Sequence, residues 1–162
     1  MSNATDRADA AATEFPAWRE LTPQQLTAWS GFLRSHAQIV RALDAELERE
    51  HGLPLTSYDV LIQLKLAPGR RLRMFELADA IVLSRSGLTR LVGRLERSGL
   101  VERERGEVDL RQTYARLTDR GFGVLAAATP THIAGIKERF LGRLSEEQTK
   151  QLGEIWGAVL GS

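Results

Sequence analysis

The stretch from Phe75 to Thr118 constrains this chain more than any other, because it reads as two short helices, a turn and a basic β-hairpin in that order. Such an order is a winged helix-turn-helix. Its second helix is bounded by residue type alone. Ser84 stands as N-cap after the apolar Ile81, Val82 and Leu83, and Ser98-Gly99 closes the helix with a residue at home in the left-handed conformation. Between them Leu88, Leu91, Val92 and Leu95 recur at i, i+3, i+4 and i+7, the spacing of one buried stripe. At about 100° per residue, the opposite face carries Ser86, Thr89, Arg90, Gly93 and Arg97, with Arg85 and Arg94 on its flanks.

That face suits DNA. Arg90 can reach guanine O6 and N7 bidentately, Ser86 and Thr89 can bond base edges or pack on a thymine methyl, and Gly93 lets a backbone come close. After Gly99, Leu100 and Val101 begin a strand and Gln112–Leu117 reads as its return, with Arg103–Arg111 as the charged tip. Asp109 and Arg111, two apart on an extended tip, can point to one side, the carboxylate holding a guanidinium aimed at a narrow minor groove. Taken singly, an arginine-rich helix face and a charged loop are also what solvent accepts. Their succession is the more specific signal.

The residues LSRSGLTRLVGRLERSGLVER from Leu83 to Arg103, followed by Asp109-Leu110-Arg111 and Leu117-Thr118, resemble the DNA-binding core of the MarR family of bacterial transcriptional regulators. The resemblance implies a mainly α fold with a small β-hairpin wing, in which a winged helix-turn-helix (55–118) is joined to N- and C-terminal dimerisation helices (22–52 and 119–162). It also implies a homodimer on a palindromic operator in double-stranded DNA. By matching position, Ser86, Thr89 and Arg90 would face bases, Arg94 and Arg97 phosphates, and Arg111 the minor groove, oriented by Asp109. Ser84, Arg85 and Gly87 complete the expected DNA-contacting set.

Charge follows the same map. Residues 70–120 hold 12 of the 22 basic and 8 of the 21 acidic side chains, so this segment carries +4 against a total of +1, and every one of the 12 is arginine. Arginine is the side chain fitted to bidentate phosphate and guanine contacts. With no cysteine, disulfides, thiolate metal clusters and thiol switches are excluded. No long apolar run and no signal-peptide pattern at the N-terminus are present, which points to a cytoplasmic protein with no membrane partner. His36, His51 and His132 are too scattered for a metal site, and no phosphate loop, nucleophile elbow or zincin motif is present. No enzyme, cofactor or metal is expected.

Outside the winged segment, residues 1–14 read as a mobile tail and 15–162 as a single domain. Thr22-Pro23-Gln24-Gln25 is a capping box opening a helix that runs to about His51-Gly52, with Trp29, Phe32, Leu33, Ile39, Val40, Leu43 and Leu47 on its apolar face. Leu55–Asp59 opens a helix that Pro68-Gly69 stops, and Arg73–Ala80 is the next, with Phe75, Leu77 and Ala78 inward. Thr118 caps a long helix that Pro130 is expected to kink. Ser145-Glu146-Glu147-Gln148 is a second capping box, opening a helix with Leu152, Ile155, Trp156, Val159 and Leu160 along one stripe. These terminal helices exceed what a small winged domain needs, and a symmetry mate would bury the surplus.

The resemblance further implies a small aromatic or anionic effector bound where the dimerisation helices meet the winged domain. Trp29, His36 and Tyr58 are the candidate effector residues, since an aromatic wall with a polar tip suits phenolic or carboxylate ligands, although aromatics at helical spacing also suit a plain core. Two further readings stay open: a ligand-independent DNA-binding or architectural protein, and a winged-helix protein-interaction module.

Overall fold

The computed structural model of the protein describes residues 17, 20–81, 83–106 and 111–161. The expected tail at 1–14, and Asp109 and Leu110 of the wing, lie outside the described residues. The chain resolves into two units, 1–38 and 39–162. Helix α1 (Pro23–His51) opens in the first, where the Thr22 hydroxyl accepts the Gln25 amide at 3.2 Å and the Gln25 side chain accepts the Thr22 amide at 2.8 Å. This reciprocal pairing is the expected capping box.

In the second unit the order is the C-terminal part of α1, α2 (Leu55–Leu66), β1 (Arg71–Arg73), α3 (Met74–Ala80), α4 (Arg85–Arg97), β2 (Val101–Arg105), β3 (Thr113–Leu117), α5 (Asp119–Arg139) and α6 (Glu146–Leu160). Apolar residues decide the layering. α2 carries Val60, Leu61 and Leu64 at zero exposure. It forms one core with Leu47 of α1, Leu77 of α3, Leu88 and Val92 of α4, Ala115 of the sheet and Leu125 of α5. Fully burying each large aliphatic side chain is worth about 1.5–3 kcal/mol, so α2 anchors the winged segment.

The strands make an antiparallel sheet in the order β1-β3-β2. β2 and β3 form the expected hairpin, paired Val101↔Leu117 through Arg105↔Thr113. β1 is an addition to the sequence reading. Gly69 and Arg70 both take positive φ, +64° and +56°, and turn the chain so that Arg71–Arg73 pairs with Arg116–Tyr114 of β3. The hairpin is also longer than expected, since Arg103–Arg105 belong to a paired strand and not to the tip.

One further expectation changes. Leu77 and Ala78 are buried, but Phe75, expected inward, is 48% exposed. It sits in the first turn of a seven-residue helix and faces a cleft beside α4. α5 continues as one helix across Pro130, with helical residues on both sides of the proline. α6 opens with the expected Ser145–Gln148 capping box, and none of its residues is buried. Among the described residues, no helix is long and apolar enough to cross a membrane.

Candidate nucleic-acid interface

α4 is built as its sequence dictates. Ser84 Oγ accepts the Gly87 amide at 3.1 Å, which satisfies one of the free N–H groups of the first turn. Leu88, Leu91, Val92 and Leu95 are all at most 4% exposed. Past Ser98, Gly99 takes φ +68° and sends the chain into β2. With one face pinned by four buried aliphatics, the opposite face is presented rigidly. Ser86, Thr89, Arg90, Arg94 and Arg97 are exposed there, together with Ser84 and Arg85, while Gly87 and Gly93 are half-buried.

The arginines of this face divide by what they touch. Among the described residues, the guanidinium groups of Arg85, Arg90, Arg94 and Arg97 make no hydrogen bond or ion pair, so four of them stand ready for an outside anion. Thr89 donates its hydroxyl to the Arg85 carbonyl at 2.8 Å, which leaves oxygen lone pairs for a donor. Ser86 Oγ lies 3.3 Å from Ser84 Oγ, where either hydroxyl can give way to a base edge.

The wing is held at its base by a charged lattice. Glu104 accepts from Arg116 at 2.9 Å and pairs with Arg71 at 3.5 Å, and Arg116 also lies 3.9 Å from Glu102. Arg73 Nε donates to the Tyr114 hydroxyl at 3.1 Å, which donates to Gln112 at 3.2 Å. The Arg71 guanidinium lies 4.5 Å from the centroid of the same Tyr114 ring, a cation–π contact. The Gly106 amide donates to the Gln112 carbonyl at 2.9 Å and narrows the hairpin toward its tip. Arg111 is exposed just beyond that point; its expected partner Asp109 lies outside the described residues. Between α3, α4 and β3 a cleft of about 420 Å³ opens, bordered by Arg73, Phe75, Arg85, Thr89 and Arg111. Phe75, with Met74 and Leu88, is the apolar part of a groove that three arginines also line.

The expected effector residues fall in different surroundings. In the first unit Trp29 is 51% exposed and starts a series of tilted rings, 5.9 Å to Phe32 and from there 6.1 Å to His36. In the second unit Tyr58 is 4% exposed, its hydroxyl 3.4 Å from Thr129 Oγ1 and its ring 4.3 Å from that of His132. His132 was not foreseen at this place. Burial pushes its imidazole below the ordinary value, and its Nδ1 is buried without a partner among the described residues. Nearby, Thr131 joins His51 at 2.9 Å to Glu50 at 3.0 Å, and the Thr131 hydrogen bond, with Arg49, holds the Glu50 carboxyl down. Asp59 is pushed up by burial.

The sequence profile of the MarR family matches residues 51–112, the span from the end of α1 to the start of β3. Among characterised relatives, the transcriptional regulator HosA of Escherichia coli is 36% identical over 100 residues, covering 61% of this chain and 73% of that protein. Among solved structures, Sco3205, a MarR family transcriptional regulator from Streptomyces coelicolor in complex with DNA, is 38% identical with a TM-score of 0.81, covering 86% of this chain and 91% of that one. AbsC, a MarR family transcriptional regulator from the same organism, is 30% identical at a TM-score of 0.81, covering 87% and 95%.

Proposed function

This chain belongs to the MarR family of DNA-binding transcriptional regulators, which are not enzymes, and from that premise we propose that it is a homodimeric repressor of a palindromic operator, released by a small aromatic or anionic effector. The observation that carries the DNA reading is the face of α4, where Arg90, Arg94 and Arg97 project without partners among the described residues from a helix pinned behind by four buried aliphatics. In this reading Ser86, Thr89 and Arg90 read base edges in the major groove, with Ser84, Arg85 and Gly87 at the helix start. Arg94 and Arg97 take phosphates, and Arg111, oriented by Asp109, enters the minor groove.

Homodimerisation accounts for the apolar surface at both ends of the chain. Trp29, Phe32 and Leu33 of α1, and Ile155, Val159 and Leu160 of α6, are between 42% and 77% exposed. Large aliphatic and aromatic side chains grouped on surface helices mark an interface. The ring series Trp29, Phe32 and His36, and separately the Tyr58–His132 pair, are the candidate surfaces for the effector. An effector acts by binding better to dimers whose recognition helices are wrongly spaced, and it shifts the population only by that difference in affinity.

The test is selection of bound duplexes from a random pool at physiological salt, repeated with phenolic and carboxylate compounds, beside sedimentation of the free protein. Expected are a dimer and a palindrome whose half-sites lie about one helical turn, ~34 Å, apart. A monomer, or a pool without enrichment, would refute the proposal. A palindrome that no compound weakens would leave a ligand-independent DNA-binding protein.

A further inference from the structure

One arginine of the interface behaves unlike its neighbours. Arg103 of β2 reaches back to α4, where its Nη2 donates to the Thr89 carbonyl at 2.9 Å and its Nε lies 3.6 Å from the Glu96 carboxylate. Thr89, Gly93 and Glu96 follow each other at i, i+4 and i+7, so the guanidinium lies along one ridge of the helix. The guanidinium passes close to Gly93, where a Cβ would sit 3.4 Å from Arg103 Nη2, at the limit of ordinary contact. The strand alternation agrees, because the flanking Glu102 and Glu104 turn to Arg116 and Arg71 on the other side.

We propose that Arg103 is a positioning residue that clamps the wing to the recognition helix, so that the distance between the major-groove and minor-groove contacts is set before DNA arrives. The clamp joins a strand of the hairpin to the main chain of α4 between its base-facing Thr89 and its last turn. Its donors are directed inward, whereas Arg90, Arg94 and Arg97 keep theirs for the ligand. A preset spacing removes an ordering cost from association, and it does so without adding a contact to the nucleic acid. The functional half of this inference rests on the DNA reading above; the clamp itself does not.

Two readouts separate these. Because the chain has no cysteine, Arg97→Cys and Thr113→Cys place unique spin labels on helix and wing, and pulsed dipolar spectroscopy of labelled chains diluted into unlabelled protein gives the helix-to-wing distance without DNA. A single narrow distribution is expected with Arg103, broadened by Arg103→Met, and only partly narrowed by Arg103→Lys, whose point charge cannot bridge a carbonyl and a carboxylate as a fork does. An unchanged distribution in Arg103→Met overturns the proposal whatever the protein binds. On the selected operator, Arg103→Met is expected to lower affinity about ten-fold, the scale of one charge-assisted hydrogen bond. It should also erase preference at the wing-contacted flanks while leaving the salt slope unchanged. A slope shallower by about 0.9 would mean that Arg103 neutralises a phosphate, and the positioning role would fall. If the parent chain selects no sequence at all, the DNA reading fails and the distance measurement still decides the clamp.

Discussion

Gly121 offers the sharpest test of how the wing is joined to the helix that follows it. Thr118 caps α5 by accepting the Gly121 amide at 2.9 Å, while its own hydroxyl donates to the Gly99 carbonyl at 2.8 Å and its amide to the Leu100 carbonyl at 3.2 Å. A Cβ on Gly121 would lie 2.0 Å from that Leu100 oxygen and 2.8 Å from Leu117 Cδ1. The first obstacle is backbone, which has no rotamer to swing away. Overpacking of this kind costs about 3 kcal/mol. Displacing the helix start also forfeits the Thr118 cap, about 1 kcal/mol. The better helix propensity of alanine returns about 1 kcal/mol. Gly121→Ala should therefore lose roughly 3 kcal/mol, a fall in Tm of about 6–12 °C for a chain of this length. Gly123, two residues on, has nothing within 4 Å of its Cβ position. The same substitution there should gain about 0.5–1 kcal/mol and raise Tm. Thermal and urea unfolding at one fixed protein concentration give both values. A Gly121→Ala melting point within about 2 °C of the parent, or equal shifts for the two variants, would refute the packing argument.

Arg90→Ala should relax base preference and cost about 1–3 kcal/mol on the selected operator, whereas Arg97→Ala should weaken all duplexes alike and flatten the salt slope by nearly one unit; competition binding at several salt concentrations tells these apart. Replacing Ile155 and Val159, 53% and 67% exposed, by aspartate should leave the protomer folded yet abolish the dimer in sedimentation, and a dimer that persists would place the interface elsewhere. Burial holds the His132 imidazole below its ordinary 6.5, so the unfolded chain takes up the proton more readily than the folded one. Its contribution to stability is complete above that value and is lost as pH falls through the lower folded one. His132→Gln should flatten the urea midpoint between about pH 5 and pH 7, and an unaltered slope would exclude His132 as the source.

What could be foreseen follows how local the signal is. α4 was legible to its last residue because cap, apolar stripe and closing glycine all lie within sixteen consecutive positions, Ser84–Gly99. The two capping boxes were legible for the same reason. β1 was not, since three residues carry no periodicity and their strand character comes from pairing with Tyr114–Arg116, more than forty positions away. Phe75 was assigned inward from hydrophobicity, although in so short a helix Leu77 and Ala78 are the buried residues, and its ring borders the cleft. Tyr58 was singled out, but His132 against it was not, because the two meet across α2 and α5 and no spacing rule links them. Arg103 stood in the recognised motif without a role of its own. Its partner there is a main-chain oxygen, which has no signature in a string of side chains.

β3 ends at Leu117 and α5 starts at Asp119, with Thr118 alone between them and bonded on both sides. A joint of one residue has no slack. Rotation of the long helix about its near end swings the hairpin with it, like an oar in a tight rowlock, and the middle of that helix is where Thr129 and His132 meet Tyr58. A push of small amplitude there has Thr118 as its one joint to the hairpin.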